Sequence, residues 1–323
     1  MSARRIALAL VLVAPAVGLL LSPWRPDGTL VYLGMLPAGL GLLVDRRAAL
    51  IASLLTPASM LAATALRDLP LGAALFMLVL GAAVGLSAAV GWHGIGSLVG
   101  PLAAFALLGT PLVALPSGTV SAVSSPAAVA TMTGLVAFGG LWTTFVGGVL
   151  ARNARGIGPR PVTRPASAYF GLTLGILAGL ITYTVDDWTD ARNRWWLLLT
   201  VFVMIQPYFT GTLRRAGARV VDVLAGTVLA AIVAHTLDEL PVVLVVVALA
   251  LTGCAVRALL RSPFWVVPLF LTPAVVLLTS GGEDVLVAAN VEHAAFIVAA
   301  SLATVPILVM GRRIMAAAPL VPT

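Results

Sequence analysis

The residues with the clearest chemistry in this sequence lie between residues 200 and 219, where polar and aromatic side chains precede three arginines. An arginine guanidinium binds a carboxylate through two parallel hydrogen bonds, and hydroxyl, amide and aromatic groups can surround a planar ligand. Gln206 and Pro207 interrupt the apolar run that contains them, and interrupted transmembrane helices often form binding sites. These features predict a site for an anionic aromatic molecule, with Thr200, Gln206, Tyr208, Thr212, Arg214, Arg215 and Arg219 as its residues.

The same arginines have a simpler interpretation, in which they anchor the chain at a membrane surface by binding lipid phosphate. Asp222 would then pair with Arg219, which lies one helical turn away. The residue types alone do not decide between a ligand site and a lipid anchor, so both interpretations stay open at this point.

Proton movement through a membrane protein requires an ionisable residue that faces a cavity within the bilayer. No apolar run holds such a residue near its centre, and the nearest are His235 and the three residues Asp222, Glu292 and His293, within about two helical turns of the end of a run. Glu292 and His293 are adjacent, so they do not face each other on a helix. We predict these three residues as candidates for a proton relay.

A membrane enzyme is a further alternative, because Asp186, Asp187 and Asp190 have the DDxxD spacing that holds magnesium and diphosphate in prenyl-transferring enzymes. Such enzymes generally need a second acidic cluster on the same side of the membrane. Arg192 and Arg194 follow in the same loop and favour a self-neutralising surface turn. The sequence therefore predicts no enzyme activity, no metal and no cofactor.

The composition determines which elements can position these residues. Of the 323 residues, 60% are hydrophobic and only 10% are charged, against about 25% charged in an average soluble domain. The net charge of +7 comes from arginine without lysine, in short clusters between apolar runs. This pattern fits a lipid bilayer as partner rather than nucleic acid. Cys254 is the single cysteine, which excludes an internal disulfide.

About 20 apolar residues are needed for a helix to cross the hydrocarbon core. The sequence therefore predicts an all-α polytopic membrane protein with about twelve spans, at Ile6–Leu21, Thr29–Val44, Ala48–Leu66, Leu71–Val90, Ile95–Leu115, Ala127–Leu150, Ala168–Val185, Trp195–Phe209, Ala216–His235, Leu240–Leu259, Phe264–Ser280 and Val291–Met310. Glycines spaced four apart, Gly81 with Gly85 and Gly175 with Gly179, predict close helix packing.

Arginine placement predicts the orientation of these spans. With a cytoplasmic N-terminus, 15 of the 19 arginines fall on the cytoplasmic side, and the exceptions are Arg25, Arg67, Arg192 and Arg194. Positive residues accumulate on the cytoplasmic side of membrane proteins. We therefore expect both termini in the cytoplasm and a multi-pass protein of the cytoplasmic (inner) membrane.

The longest cytoplasmic connection carries four arginines and three prolines and divides the chain in two. The predicted units are an N-terminal six-helix half, 1–150, a linker, 151–166, a C-terminal six-helix half, 167–313, and a short tail, 314–323. Because six is even, the halves run parallel, an arrangement that places a substrate path at their interface in some transporters. Homo-oligomerisation is left open.

The segment Trp195–Ala231 resembles the fusaric acid resistance protein-like (FUSC) family, which is related to bacterial aromatic acid exporters. The matching residues follow the family pattern of tryptophan, Leu-Thr, Gln-Pro and Thr-x-Arg-Arg, and they are Trp196, Leu199, Thr200, Gln206, Pro207, Thr212, Arg214, Arg215 and Arg219. Counting from Arg219, only the second glycine of the family's later GTxxG element is met, by Gly226; alternatively, Gly226 and Thr227 reproduce the start of the element after an insertion. The large cytoplasmic domain of many relatives does not fit in the short linker.

The resemblance adds Trp196 to the predicted site and implies a proton-driven exporter of aromatic or other organic acids. A passive organic-anion channel is an alternative, because plant aluminium-activated malate transporters are distantly similar. A membrane enzyme acting on lipid-linked diphosphates is the third alternative.

Overall fold

The structure is a computed structural model. It describes residues 3–114, 119–150, 161–188, 194–205, 207, 221, 224–226, 228–233, 235–236, 240–261, 266–279, 295–296, 298–300, 304–306, 309–311 and 313. Over these residues the chain is almost entirely helical, as expected for an all-α membrane protein. Contacts divide it into two compact units, unit 1 over Met1–Leu199 and unit 2 over Thr200–Thr323.

The principal helices are α1 Ala3–Leu20, α2 Arg25–Val44, α3 Arg46–Ala65, α4 Pro70–Leu86, α5 His93–Leu108, α6 Pro126–Trp142, α7 Arg164–Trp188, α8 Trp195–Met204, α9 Pro241–Arg261 and α10 Val267–Thr279. A 3₁₀ turn, Ser87–Val90, extends α4. A π turn, Thr143–Gly147, and a last α turn, Gly148–Leu150, extend α6.

Two short strands follow α5 and form a hairpin, which the sequence did not predict. Strand β1, Leu112–Ala114, pairs antiparallel with β2, Val120–Ala122, so that Leu112 is opposite Ala122 and Ala114 is opposite Val120. The predicted fifth span, Ile95–Leu115, is therefore too long, because the helix ends at Leu108 and the strand begins four residues later. Apolar content alone does not distinguish the last turn of a helix from a short buried strand.

Helix starts in unit 1 follow local chemistry. Proline occupies the first turn of α2, α4 and α6, where its missing N–H leaves no helical hydrogen bond unmade. Asp45 is the single residue between α2 and α3, and its carboxylate accepts a hydrogen bond of 2.7 Å from the N–H of Ala48. Ser125 caps α6 in the same way through the N–H of Ala128, at 3.2 Å.

Five helices are long and apolar enough to cross a membrane, at Arg25–Val44, Arg46–Ala65, Pro70–Val90, Pro126–Gly147 and Arg164–Val185. At 20 to 22 residues each, they rise about 30 Å, the thickness of the hydrocarbon core. Leu75, Val79, Leu172 and Ile176 leave half or more of their side chains exposed on α4 and α7. A face of this kind suits contact with lipid. The polytopic helical fold is thus confirmed, and the number twelve stays a prediction.

One end of unit 1 collects the connections that the arginine count places on the cytoplasmic side. The backbone N–H of Val162 donates to the carbonyl of Ala88, at 3.0 Å. The Nε atom of Arg46 lies 3.8 Å from the position of a Cβ atom on Gly148. We call this the Arg46 end.

The opposite end of unit 1 collects the connections predicted on the other side. There the carboxylate of Asp27 contacts Ala114, and the guanidinium of Arg67 contacts Val123. We call this the Asp27 end. The alternation of the two ends along α1 to α7 agrees with the order of spans that the arginines predict.

Helices α4 and α7 cross in contact at a row of glycines, which confirms the packing predicted from their spacing. A Cβ atom on Gly81 would lie 2.9 Å from the Cα of Gly175, and one on Gly85 would overlap the Cα of Gly171. A Cβ on Gly179 would lie 3.0 Å from the carbonyl oxygen of Ala74. Since rising positions on α4 meet falling positions on α7, the two helices are antiparallel.

The α2–α6 crossing is equally close. A Cβ on Gly34 would overlap the carbonyl of Val136, and one on Gly139 would overlap the carbonyl of Val31. Each helix therefore places a glycine against the backbone of the other.

The compact units differ from the predicted halves. Helix α7 belongs to the predicted C-terminal half but lies in unit 1, packed on α4. Unit 2 contains α9 and α10, which meet around Ala255, Ala258 and Val267. The two parallel halves stay a prediction.

The glycine contact between α4 and α7 predicts a stability difference between two alanine variants. Gly85→Ala places a methyl group on the backbone of α7, and it should lower the free energy of unfolding by about 1–3 kcal/mol. Gly134→Ala is the matched control, because no neighbouring atom lies within 4 Å of its Cβ position. The control should keep or raise the stability, by at most about 1 kcal/mol. Thermal melting in detergent measures both, and equal melting temperatures would contradict the close crossing.

Candidate functional site

The predicted site begins on α8, which ends where the sequence predicts a break. The last helical hydrogen bond at this point runs from the N–H of Ile205 to the carbonyl of Val201, at 2.9 Å, and Pro207 lies buried in a bend. Proline lacks an N–H and disfavours a helical conformation in the residue before it. The predicted interruption is confirmed. Ten residues of α8 rise about 15 Å, roughly half of the hydrocarbon core.

The first turn of α8 is fixed by aromatic packing in unit 1. Trp195 and Trp196 are 2% and 1% exposed, and their ring centroids lie 5.9 Å apart. Trp195 packs edge-on against Phe105 of α5, with 5.0 Å between the centroids. Gly109 approaches the same indole, since a Cβ there would lie 3.1 Å from it. Trp196 is therefore a core residue of unit 1, and its predicted role in binding a substrate stays a prediction.

Thr200 is the second predicted site residue that the structure describes. It is 4% exposed and lies one turn after Trp196 on the same helix. The remaining predicted residues lie outside the described part of the chain, and they are Gln206, Tyr208, Thr212, Arg214, Arg215 and Arg219, with the relay candidates Asp222, Glu292 and His293. Only Trp196 and Thr200 are thus placed on one element.

A buried carboxylate that the sequence reasoning missed lies at the Asp27 end. Asp27 is 4% exposed, and its Oδ1 atom accepts a hydrogen bond of 2.9 Å from the backbone N–H of Ala114 in β1. The second span was predicted to start at Thr29, which left Asp27 outside it, whereas α2 starts at Arg25. The order Arg25, Pro26, Asp27 carried the signal, because proline and an acidic residue are typical of a first helical turn.

Arg67 holds the other side of the hairpin at the same end. Its guanidinium donates to the carbonyl of Val123, at 3.1 Å, and to those of Ala106, at 2.5 Å, and Gly109, at 3.4 Å. Ala106 and Gly109 lie at the C-terminus of α5, where a cation is favoured by the helix dipole. Burial lowers the pKa of Arg67, and nearby Asp68 opposes that shift. Arg67 is one of the four arginines that depart from the predicted charge bias, and these bonds explain its position.

A polar contact joins α3 to the π turn after α6. The hydroxyls of Ser53 and Thr144 lie 2.8 Å apart, and both side chains are at most 2% exposed. Such π turns are frequent at functional sites. The contact holds no charged group, so it gives no basis for binding an anion. Among the described residues, no group of three histidine, cysteine, aspartate or glutamate side chains is placed to hold a metal ion.

Comparison with known families bears on the whole predicted site. Residues 176–307, which include every predicted site and relay residue, match the family model described as fusaric acid resistance protein-like. The family resemblance is confirmed over this range. The FUSC-like segment is 132 of the 323 residues, from the middle of α7 onward. No curated protein and no solved structure matches the chain.

The burial of Trp196 predicts how it responds to substitution. Trp196→Ala removes a fully buried ring and should destabilise the protein by about 3–5 kcal/mol. Trp196→Phe keeps most of the apolar contact, so it should lose much less stability and should keep the same transport as the unchanged chain. Melting temperature and transport are measured on the same purified samples. A stable Trp196→Phe variant without transport would instead support a direct contact with the substrate.

Proposed function

We propose that the protein is a transporter of the cytoplasmic membrane that exports aromatic or other organic acids in exchange for protons. The observation that carries the proposal is the match of residues 176–307 to the FUSC family model, whose description refers to resistance to an aromatic acid. The five helices of unit 1 that are long and apolar enough to cross a membrane support the membrane-spanning frame that such a role requires. Removing an acid from the cell is a direct route to resistance.

The end of α8 supports the location of the path. The ten residues of α8 are long enough for only about half of the hydrocarbon thickness, and the next residues in the sequence bring an amide, hydroxyls and three arginines within 15 positions of Met204. Chain that leaves a helix at such a depth must be covered by protein or line a water-filled cavity. A cavity with arginine side chains attracts a carboxylate from water and holds it through paired hydrogen bonds.

Proton coupling provides the driving force in this proposal. The sequence contains no phosphate-binding loop of the kind that ATP-driven pumps use. The relay residues proposed within the FUSC-like segment are Asp222, Glu292 and His293. The lipid bilayer and a small organic anion are the partners that the proposal requires.

Reconstitution in liposomes tests exporter against channel. The protein should accumulate hydroxybenzoate against its gradient when a pH gradient is imposed, and the accumulation should collapse when a proton carrier removes that gradient. Flux that only follows the gradient of the anion would show a channel. Magnesium-dependent turnover of a prenyl diphosphate, without flux of hydroxybenzoate, would show an enzyme.

Two substitutions test the proposed site directly. Arg215→Ala removes one carboxylate fork and should reduce uptake at low substrate concentration by about tenfold or more, while Gln206→Ala should reduce it by about fivefold. Arg257→Ala is the matched control, because Arg257 is an exposed arginine on α9 outside the proposed site. All three variants should insert into the membrane in equal amounts.

Normal uptake in both site variants would overturn the location of the site. Equal losses in Arg215→Ala and Arg257→Ala would instead support the interpretation of these arginines as general lipid anchors.

A further inference from the structure

The hairpin at the Asp27 end is held by two side chains of opposite charge. Arg67 binds the carbonyl of Val123, directly after β2, and Asp27 binds the N–H of Ala114, the last residue of β1. Between these points, Val113 is fully buried, while Val120 on the partner strand is 51% exposed. The hairpin therefore covers this end of unit 1 with one strand inward and the other outward.

The bond from Asp27 satisfies a polar group of the backbone. The N–H of Ala114 donates to Asp27, so a side chain of α2 provides the acceptor at this edge of β1. A backbone N–H that is buried without an acceptor costs free energy, so Asp27 is what allows β1 to lie against the helix. An ionised carboxylate accepts such a bond more strongly than a protonated one, which spends one oxygen on its own hydrogen.

No residue in the part of the chain that the structure describes forms an ion pair with Asp27. The charged residues nearest to it in sequence or at the same end of neighbouring helices are Arg25, Arg67 and Asp68. Neither arginine forms an ion pair with it, since Arg67 is directed to three carbonyls. In α1, α3 and α5 the charged or titratable residues lie at the Arg46 end, and they are Arg4, Arg5, Arg46, Arg47 and His93. The described residues of α6, β1 and β2 carry no charged or titratable side chain.

Two opposing effects therefore act on the ionisation of the Asp27 carboxyl group. Removal from water opposes ionisation, while the start of α2 and the N–H of Ala114 favour it. A group balanced in this way can exchange a proton without the separation of an ion pair.

We propose that Asp27 is a proton-binding residue, and that a proton taken from water at the Asp27 end weakens its bond to Ala114, so that β1 separates more readily from α2. Deprotonation restores the bond and closes the strand again. This assigns proton binding to unit 1, outside the FUSC-like segment and apart from Asp222, Glu292 and His293. Its use for coupling rests on the proposed function, whereas the release of β1 does not.

Cysteine labelling measures the release of β1 without any substrate. In a Cys254→Ser background, because Cys254 is exposed, Val113→Cys reports on the buried face of β1. Val120→Cys, on the exposed strand, corrects for the effect of pH on thiol reactivity. The ratio of the two labelling rates with a water-soluble thiol reagent is followed in liposomes from about pH 8 to about pH 4, where carboxylates titrate.

When Asp27 is kept, the labelling rate of Val113→Cys divided by that of Val120→Cys should rise about tenfold as the pH falls. Asp27→Asn and Asp27→Ser cannot ionise, so either of them should give a ratio that no longer depends on pH. Asp68→Asn removes an exposed carboxylate at the same end and is the matched control, and it should retain the titration.

A flat ratio in the unchanged chain overturns the proposal whether or not the variants fold. A titration that survives in the Asp27 variants overturns it as well, by assigning the proton to another group. Coupling is tested separately, since Asp27→Asn should lose accumulation driven by a pH gradient while Asp68→Asn keeps it. If the unchanged chain moves no organic acid, the proposed function fails, and the labelling result still decides the role of Asp27.

Discussion

Lipid offers no hydrogen bonds, so every backbone N–H and carbonyl within the hydrocarbon core must find its partner in the protein, and most features of this molecule follow from that constraint. It requires helices for the spans. It also explains why buried hydroxyls bond to their own helix, as in the bonds from Ser53 to Ala49, Thr56 to Ala52 and Thr182 to Ala178. Where helices end, side chains take over, and Arg67 and Asp27 supply the donors and the acceptor that the end of α5 and strand β1 need.

The same constraint determines what the sequence can predict. Apolar runs interrupted by proline and arginine give the helices and the break before Pro207, because each depends on local composition. The glycine spacing on α4 and α7 likewise predicts close packing. It does not predict that α4 and α7 contact each other, because the glycine spacing on one helix does not specify which other helix packs against it.

The buried polar residues likewise differ in whether the local sequence reveals them or only a contact with a distant segment does. Trp196 and Thr200 were located from their types and order, and the structure adds that both are buried on one helix of ten residues. The burial of Asp27 was not predicted, because hydropathy places this residue at the end of an apolar run, whereas its burial depends on a hairpin strand 87 residues further along the chain. Contacts that join distant segments through one backbone atom leave no periodic trace in the sequence.

The crossing of α4 with α7 also affects how the chain is assembled during synthesis. Gly85 and Gly171 are 86 residues apart, so ribosomes adding about 5–20 residues per second produce the second helix roughly 4–17 seconds after the first. During that interval α4 stays in the bilayer with its glycine face covered by lipid or by a temporary neighbour. During assembly of unit 1, other helices can therefore compete with α7 for the glycine face of α4. A membrane chaperone that covers α4 until α7 is synthesised would favour the native contact.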